Sequence, residues 1–372
     1  MIALDDFRGA GGWSVACRAL GIHERGVEIM AEANATATAN GFETYGRDVW
    51  TSLMRGVAPY HLLISSPPCQ PFSTAGNGAG RAVLDELLGL IDSKAYFDIE
   101  KLRAFGEQHD PRTALVLTPL ARVAEDAPLY VVLEQVPTVL PVWERFAVEL
   151  RRFGYSVVTG ILNAEQYGVP QTRRRAVLIA RADGVEARMP TPTHSRYYSR
   201  DPLRLDPGVL PWISMAKALG WVGSALVRSS FGKPKTVNAD GTAAGGHHTF
   251  KSDEAPAHTV TGLTSGWLVS NSKAGSMAHW EVDGRPLNLD PSKPATTVQG
   301  DPRLTAREHH FHGEQNSTST QVTIEEALAL QSFPEGFKVS GGIGKQFLQV
   351  GNAVPPLLAQ AILETLVDFP TT

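Results

Sequence analysis

Over residues 1–181 the chain alternates short apolar runs with stretches of helical character, and this alternation restricts the fold more than any other feature. MIAL (1–4), GVEIMAE (26–32), HLLISS (61–66), LYVVLEQV (129–136) and RRAVLIAR (174–181) all have strand length. HLLISS and LYVVLEQV are nearly all apolar, as a strand covered on both faces should be. WSVACRALGI (13–22) sets Val15, Ala19 and Leu20 on one helical face, and ELRRFGYSVVTGILN (149–163) supplies a helix and a further strand. Such a succession predicts an open α/β sheet with its ligand site at the strand ends. The pattern stops at MPTPTHS (189–195). From there to about 320 the chain is rich in Gly, Pro, Ser, Thr and His, with an internal echo between PAHTVTG (256–262) and PATTVQG (294–300). Two copies are too few for a solenoid and mark strand–turn units of a small β-rich domain. Helical order returns in TIEEALALQSFP (323–334), and VGNAVPPLLAQAILETLVDF (350–369) ends as an amphipathic helix. The expected division is 1–190, with 325–372 returning to it, and a second domain over 191–324. The stretch 78–108 reads as a flexible loop or lid, with a helical insertion as the alternative.

A chain of 372 residues can bury a large core in two such domains. No apolar run approaches the ~20 residues that a membrane span needs. The N-terminal MIALDDFRGAGG carries acid where a secretory signal carries base. With Cys17 and Cys69 as its two cysteines, the chain has no disulfide framework. A cytoplasmic protein with no membrane partner is expected. The net charge of −4 hides an uneven distribution: residues 151–235 hold 14 Arg and Lys against 5 Asp and Glu, and residues 81–144 hold 6 against 11. That asymmetry suits one basic face meeting phosphates, and equally two unrelated solvated faces.

Three motifs carry chemistry. In FRGAGG (7–12), Gly9, Gly11 and Gly12 form a turn between a strand and a helix that lets a cofactor approach backbone amides. Ser14 stands where the dinucleotide fingerprint has its third glycine. Glu32 and Asp48 fall near the ends of the next two strands, where one carboxylate suits a ribose diol and the other an adenine amino group; capping and surface charge are the competing readings. PPCQPFS (67–73) is sharper, because flanking prolines hold Cys69 in a stiff turn after an apolar strand. A thiol so placed can attack an electron-poor carbon. Glu134 ends a buried-type strand, where an acid is out of place unless used or paired, and it is the candidate proton donor. QTRRR (171–175) offers Arg173 and Arg175 two apart, on one side of a strand.

Taken in order, DDFRGAGG, an acid at 32, Asp48, PPCQPFS, DPRTAL, LEQV, YGVPQTRRR, EEALALQSFP and QVGNAVPP resemble the motifs of the DNA (cytosine-5-)-methyltransferase family over nearly the whole chain. The resemblance implies a class I S-adenosylmethionine-dependent, Rossmann-like α/β sheet with a smaller β-rich target-recognition domain. It implies that Cys69 attacks cytosine C6, that Glu134 holds N3 and the exocyclic amine, and that Arg175 and Arg173 support base and acid. It places S-adenosyl-L-methionine among Phe7, Gly9, Gly11, Gly12, Glu32, Asp48, Pro68 and Asn352. A stacked cytosine hides C6, so the base must be flipped from double-stranded DNA, with neighbouring bases read through the major groove. A monomer is expected, and a cognate restriction endonuclease is left open.

Three departures from the family pattern stand out. Gln135 replaces the asparagine of Glu-Asn-Val, which holds the Pro-Cys loop; Ser65 and Ser66 replace glycine-type residues; Asn34 replaces an aspartate after the ribose-binding acid. The rival readings are the same chemistry on RNA, a catalytically inactive DNA-binding relative, and transfer of another group. His247, His248 and HHFH (309–312) lack nearby cysteines and predict no metal site. Trp212, Trp221, Trp267 and Trp280 read mostly as packing residues, and Cys17 as a small buried one.

Overall fold

A computed structural model describes residues 1–72, 79–220 and 323–367, together with seven short strand pieces between 228 and 296. Its sheet is built from β1 (Ile2–Asp6), β2 (His23–Val27), β3 (Glu43–Gly46), β4 (Leu62–Ser65), β5 (Tyr130–Gln135), β6 (Ser156–Asn163) and, after the two-residue β7 (Gln171–Thr172), β8 (Arg174–Arg181). The order is β3-β2-β1-β4-β5-β8-β6. The first five strands in that order are parallel, and β8 runs antiparallel to both β5 and β6. The chain moves outward from β1 to β3 and then returns to the other side of β1 at β4. A crevice therefore opens at the carboxyl ends of β1 and β4, where an α/β sheet binds its ligand.

Side chains alternate between two layers along each central strand. Leu4, Leu63, Val131 and Leu133 join one core, and Ala3, Leu62, Ile64 and Val132 join the other. The second layer is covered by α1 (Gly12–Ala19), through Trp13 and Cys17, and by the C-terminal helix described below. α2 (Ala31–Ala39) lies beside α1, whose Arg18 donates to the carbonyl of its C-cap Asn40, and the first layer packs α3 (Val49–Arg55), whose N-cap Asp48 accepts hydrogen bonds from the Thr51 amide and hydroxyl.

The stretch expected as a lid is helical and built into the core. It forms α4 (Ala79–Ala82), α5 (Leu84–Asp92) and α6 (Ile99–Gln108), which bury Leu87, Ile91, Leu102 and Phe105, with Tyr96 buried in the turn between α5 and α6. The helical period is legible within each piece and lost over the whole, because the chain breaks at Ser93–Lys94 and restarts at the Asp98 cap. α7 (Thr118–Asp126) and α8 (Leu140–Arg152), each with proline in its first turn, complete that layer.

The second strand also differs from expectation. GVEIMAE is not one strand: β2 ends at Val27, and the Glu28 carboxylate accepts the Met30 amide at 2.7 Å as the chain turns into α2. β2 reads HERGV, too polar for an apolar scan to mark.

After α9 (Met215–Leu219), most of the expected recognition domain lies outside the described residues, including the echo at 256–262 and the histidines at 247, 248 and 309–312. The pieces given there are two-residue ladders, one of which, Ala295–Thr296, runs parallel to β7. α10 (Ile324–Leu330) opens on a capping box between Thr323 and Glu326. α11 (Ile343–Asn352) and α12 (Pro356–Leu363) follow, and α12 packs on α1.

Candidate active site

β4 runs into Pro67–Pro68–Cys69, and the turn is anchored from behind. Phe72 is fully buried and its amide donates to the Cys69 carbonyl at 3.0 Å, while Thr138 Oγ1 donates to the Phe72 carbonyl at 2.8 Å. Gln135, the last residue of β5, ties the turn to the neighbouring strand. Its Nε2 donates to the Pro67 carbonyl at 2.7 Å, and its Oε1 accepts from the Val136 amide. The extra methylene relative to asparagine thus leaves the loop held, because the carboxamide folds back on its own backbone.

Glu134 precedes Gln135 and points the other way out of β5. Because β8 is antiparallel, its first residues lie beside the last residues of β5, with Glu134 opposite Val177. Arg175 consequently reaches the carboxylate, with Nε 2.6 Å from Oε1, and both side chains are nearly buried. Burial pushes the Cys69 thiol up from its ordinary value; Arg175 opposes that rise, Glu134 adds to it, and Arg173 opposes it. Thiol, carboxylate and guanidinium therefore share one electrostatic site at three adjoining strand ends.

Arg173 does not share a strand with Arg175. It lies between β7 and β8, is 1% exposed, and donates from Nη1 to the Gly351 carbonyl at 3.0 Å. It braces the C-terminal motif against the site. A pair of glutamines does the same: Gln171 Nε2 donates to Gln331 Oε1 at 2.8 Å, and Gln331 Nε2 to the Val350 carbonyl at 2.6 Å. Asn352 closes α11 with an exposed side chain.

The second half of the crevice is the glycine turn. Phe7 (φ 68°), Gly9 (φ 59°) and Gly11 (φ 90°) all take left-handed conformations, and Gly11 caps α1. A Cβ on Gly9 would find only its own turn, at 4.0 Å, so the space above it is open to a ligand. Gly12 differs, because a Cβ there would lie 1.9 Å from the Val354 carbonyl oxygen. Its smallness serves the contact between α1 and the C-terminal motif. The acid that follows β2 is Glu28, whose Oε2 accepts the Gly9 amide at 2.8 Å. Glu32, expected in that place, sits a turn further on in α2 and faces Lys345 at 3.6 Å. Counted from Glu28 the aspartate position falls on Met30. Asn34 instead donates to the carbonyls of Glu28 (2.7 Å) and Met30 (3.2 Å). Asp48 and Pro68 both border the crevice half-buried, and Trp13 Nε1 donates to Ser66 Oγ at 3.0 Å, which accounts for a hydroxyl at that departure.

A family model described as C-5 cytosine-specific DNA methylase matches residues 103–368. The chain belongs to that family. Its relatives include the Type II methyltransferase M1.HphI of Haemophilus parahaemolyticus, 30% identical over 390 residues that cover 99% of this chain and 87% of the relative. M.SacI of Streptomyces achromogenes, also a Type II methyltransferase, is 26% identical over 82% of this chain and 71% of its own. Among solved structures, a DNMT2 mutant of Spodoptera frugiperda superimposes with a TM-score of 0.55 at 15% identity, covering 98% of this chain and 99% of its own. A putative prophage-encoded DNA modification methyltransferase (E. coli) gives 0.53 at 17%, covering 98% of both chains. These likenesses agree with the class I methyltransferase fold. This cytosine-5 methylase thus has its thiol, acid and arginine where three strand ends meet.

Sequence reasoning missed Glu28, Arg8, Gln171 and Gln331. A signal existed for the first, since an acid directly after a strand is the stronger candidate once the strand is ended correctly. The glutamines gave none, because their partners lie 160 and 19 residues away along the chain. Cys17 is fully buried, as expected. Trp212 packs edge-on against Tyr197, with ring centroids 5.0 Å apart. Among the described residues there is no group of three or more potential metal ligands, and no helix is long and apolar enough to cross a membrane.

Proposed function

We propose that the chain transfers a methyl group from S-adenosyl-L-methionine to C5 of a cytosine flipped out of double-stranded DNA. The observation that supports this most is the meeting of Cys69, Glu134 and Arg175, with Glu134 and Arg175 in contact at 2.6 Å. Cys69 Sγ bonds to C6, and the C5–C6 π electrons move onto C5. Glu134, oriented by Arg175, binds N3 and the exocyclic amine and supplies the proton that offsets charge on the ring. After methylation at C5, loss of the C5 proton and release of the thiolate restore the aromatic ring. The stiff Pro-Pro-Cys turn contributes by fixing the thiol at bonding distance.

The donor's chemistry is an electrophilic methyl on sulfur. The residues present fit it: the open space above Gly9, the left-handed turn Phe7–Gly11, and carboxylates at Glu28 and Asp48 for the hydroxyls and the adenine amine. Glu28 takes the place in this assignment that Glu32 held. Pro68 and Asn352 close the pocket. Residues 191–324 are proposed to read the flanking bases. A cytoplasmic monomer acting beside a cognate restriction endonuclease belongs to the same proposal.

The test is mass spectrometry of nucleosides from duplex DNA treated with protein and S-adenosylmethionine, with a C69A control and a parallel RNA substrate. The expected product is 5-methyldeoxycytidine, absent in the control. Methylation of RNA alone, or a C69A variant as active as the wild type, overturns the reading.

A further inference from the structure

Arg8 is the feature of the donor pocket that the function does not absorb. It follows Phe7 in the glycine turn, yet its side chain is 3% exposed and runs beneath the turn. Nη1 donates to the Glu43 carbonyl at 2.6 Å, and Nη2 donates to Thr44 Oγ1 at 2.7 Å and to Asn34 Oδ1 at 3.2 Å. Asn34 in turn donates through Nδ2 to the carbonyl of Glu28 at 2.7 Å. The Glu28 carboxylate closes the circuit by accepting the amides of Gly9 and Met30. One guanidinium therefore connects the glycine turn, α2 and β3. Gly26 in β2 is matched to it, since a Cβ there would lie 2.5 Å from Arg8 Cδ. Arg8 is also a cation beside the buried carboxyls of Asp5 and Glu24, where two acids and Glu28 would otherwise crowd one another.

We infer that Arg8, acting through Asn34, is a positioning residue for donor binding: it fixes the Glu28 carboxylate under the glycine turn in the orientation that receives the donor's ribose hydroxyls. This rests on the assignment of the crevice as the S-adenosylmethionine pocket. The groups that meet the cytosine lie on β4, β5 and β8, so the loss of Arg8 acts on donor affinity and leaves the chemical step alone. A planar fork is required, because three acceptors on two elements are met by two nitrogens in one plane. Lysine has a single nitrogen to offer them.

The experiment is calorimetric titration of the full-length chain with S-adenosylmethionine, together with steady-state kinetics and thermal melting, for R8A, R8K, N34A and R8A/G26A. In R8A the donor dissociation constant and KM rise tenfold or more, with kcat at saturating donor within twofold of wild type. R8K behaves like R8A. In R8A/G26A the added methyl occupies part of the vacated space, so melting temperature recovers toward wild type and donor affinity does not. N34A leaves the bonds from Arg8 to β3 in place and weakens the donor about fivefold, which tests the relay should R8A fail to fold. Donor affinity in R8A or N34A within twofold of wild type overturns the role of Arg8, as does recovery of affinity along with stability in the double variant. A wild-type chain that binds no S-adenosylmethionine overturns the pocket assignment itself.

Discussion

Gly12→Ala separates two readings of the glycine turn. The family resemblance groups Gly12 with Gly9 and Gly11 around the donor, whereas the structure gives it a packing role. An ideal Cβ at Gly12 lies 1.9 Å from the Val354 carbonyl oxygen and 3.0 Å from its carbonyl carbon, and real Cβ atoms essentially never come within 3.0 Å of another group. The obstacle is backbone on a segment fixed by Gln331, whose Nε2 donates to the adjoining Val350 carbonyl, and no side chain can rotate away. Relief requires α1 and the 350–356 segment to part by more than 1 Å, in a layer where Trp13, Val354, Leu358 and Ile362 are packed together. Inserting a methyl into a close-packed site costs about 1–3 kcal/mol, and a clash with backbone belongs at the upper end. At roughly 2–4 °C per kcal/mol for a domain of this size, the melting temperature should fall by about 6–12 °C. Scanning calorimetry on G12A beside G9A is the assay. Gly9 has open space and a φ of 59°, so G9A incurs only backbone strain of about 1–2 kcal/mol, and its defect should lie in donor binding. A G12A protein that melts within 2 °C of wild type refutes the packing argument.

The carboxamide of residue 135 should matter more than its length: Q135L leaves the buried Pro67 carbonyl without a donor and is expected to lower turnover at least tenfold, while Q135N stays within a few-fold, both measured with tritiated methyl donor. Glu165 gives a pH signature. Burial pushes its carboxyl to about 7, against donation from the amides of Glu165, Arg173 and Tyr197. The folded chain thus holds a proton that the unfolded chain, at 4.5, has released, so the group's contribution is full below about pH 4.5 and is lost as pH rises through 7. Roughly 3 kcal/mol is at stake, from 1.36 kcal/mol per unit. Urea unfolding at pH 5.5 and 8 should show a loss on raising the pH that E165Q lacks; parallel losses in both proteins would count against this assignment.

The thiol and acid of the candidate site were legible because they lie at the ends of strands that are buried on both faces. HLLISS and LYVVLEQV announce themselves by composition, so Cys69 just past the first and Glu134 near the end of the second are placed without a structure. The acid that follows β2 was not legible, for the converse reason. β2 is polar and its end could not be located from apolar content, so the sequence pointed to Glu32 where the structure sets Glu28 directly after the strand.

What the sequence determined by itself is whatever depends on local order: the strand–helix alternation, the stiff Cys69 turn, and the acid and arginine placed at strand ends. Only the tertiary structure decided what depends on pairing between distant segments. The antiparallel register of β5 and β8 delivers Arg175 to Glu134, and the break between β7 and β8 sends Arg173 to Gly351. The return of the C-terminal motif onto α1 makes Gly12 a packing residue, and the hidden course of Arg8 beneath the glycine turn makes it a brace. A side chain's direction and its partner across the sheet are set by which strands are neighbours, and neighbour order is not written in any local period.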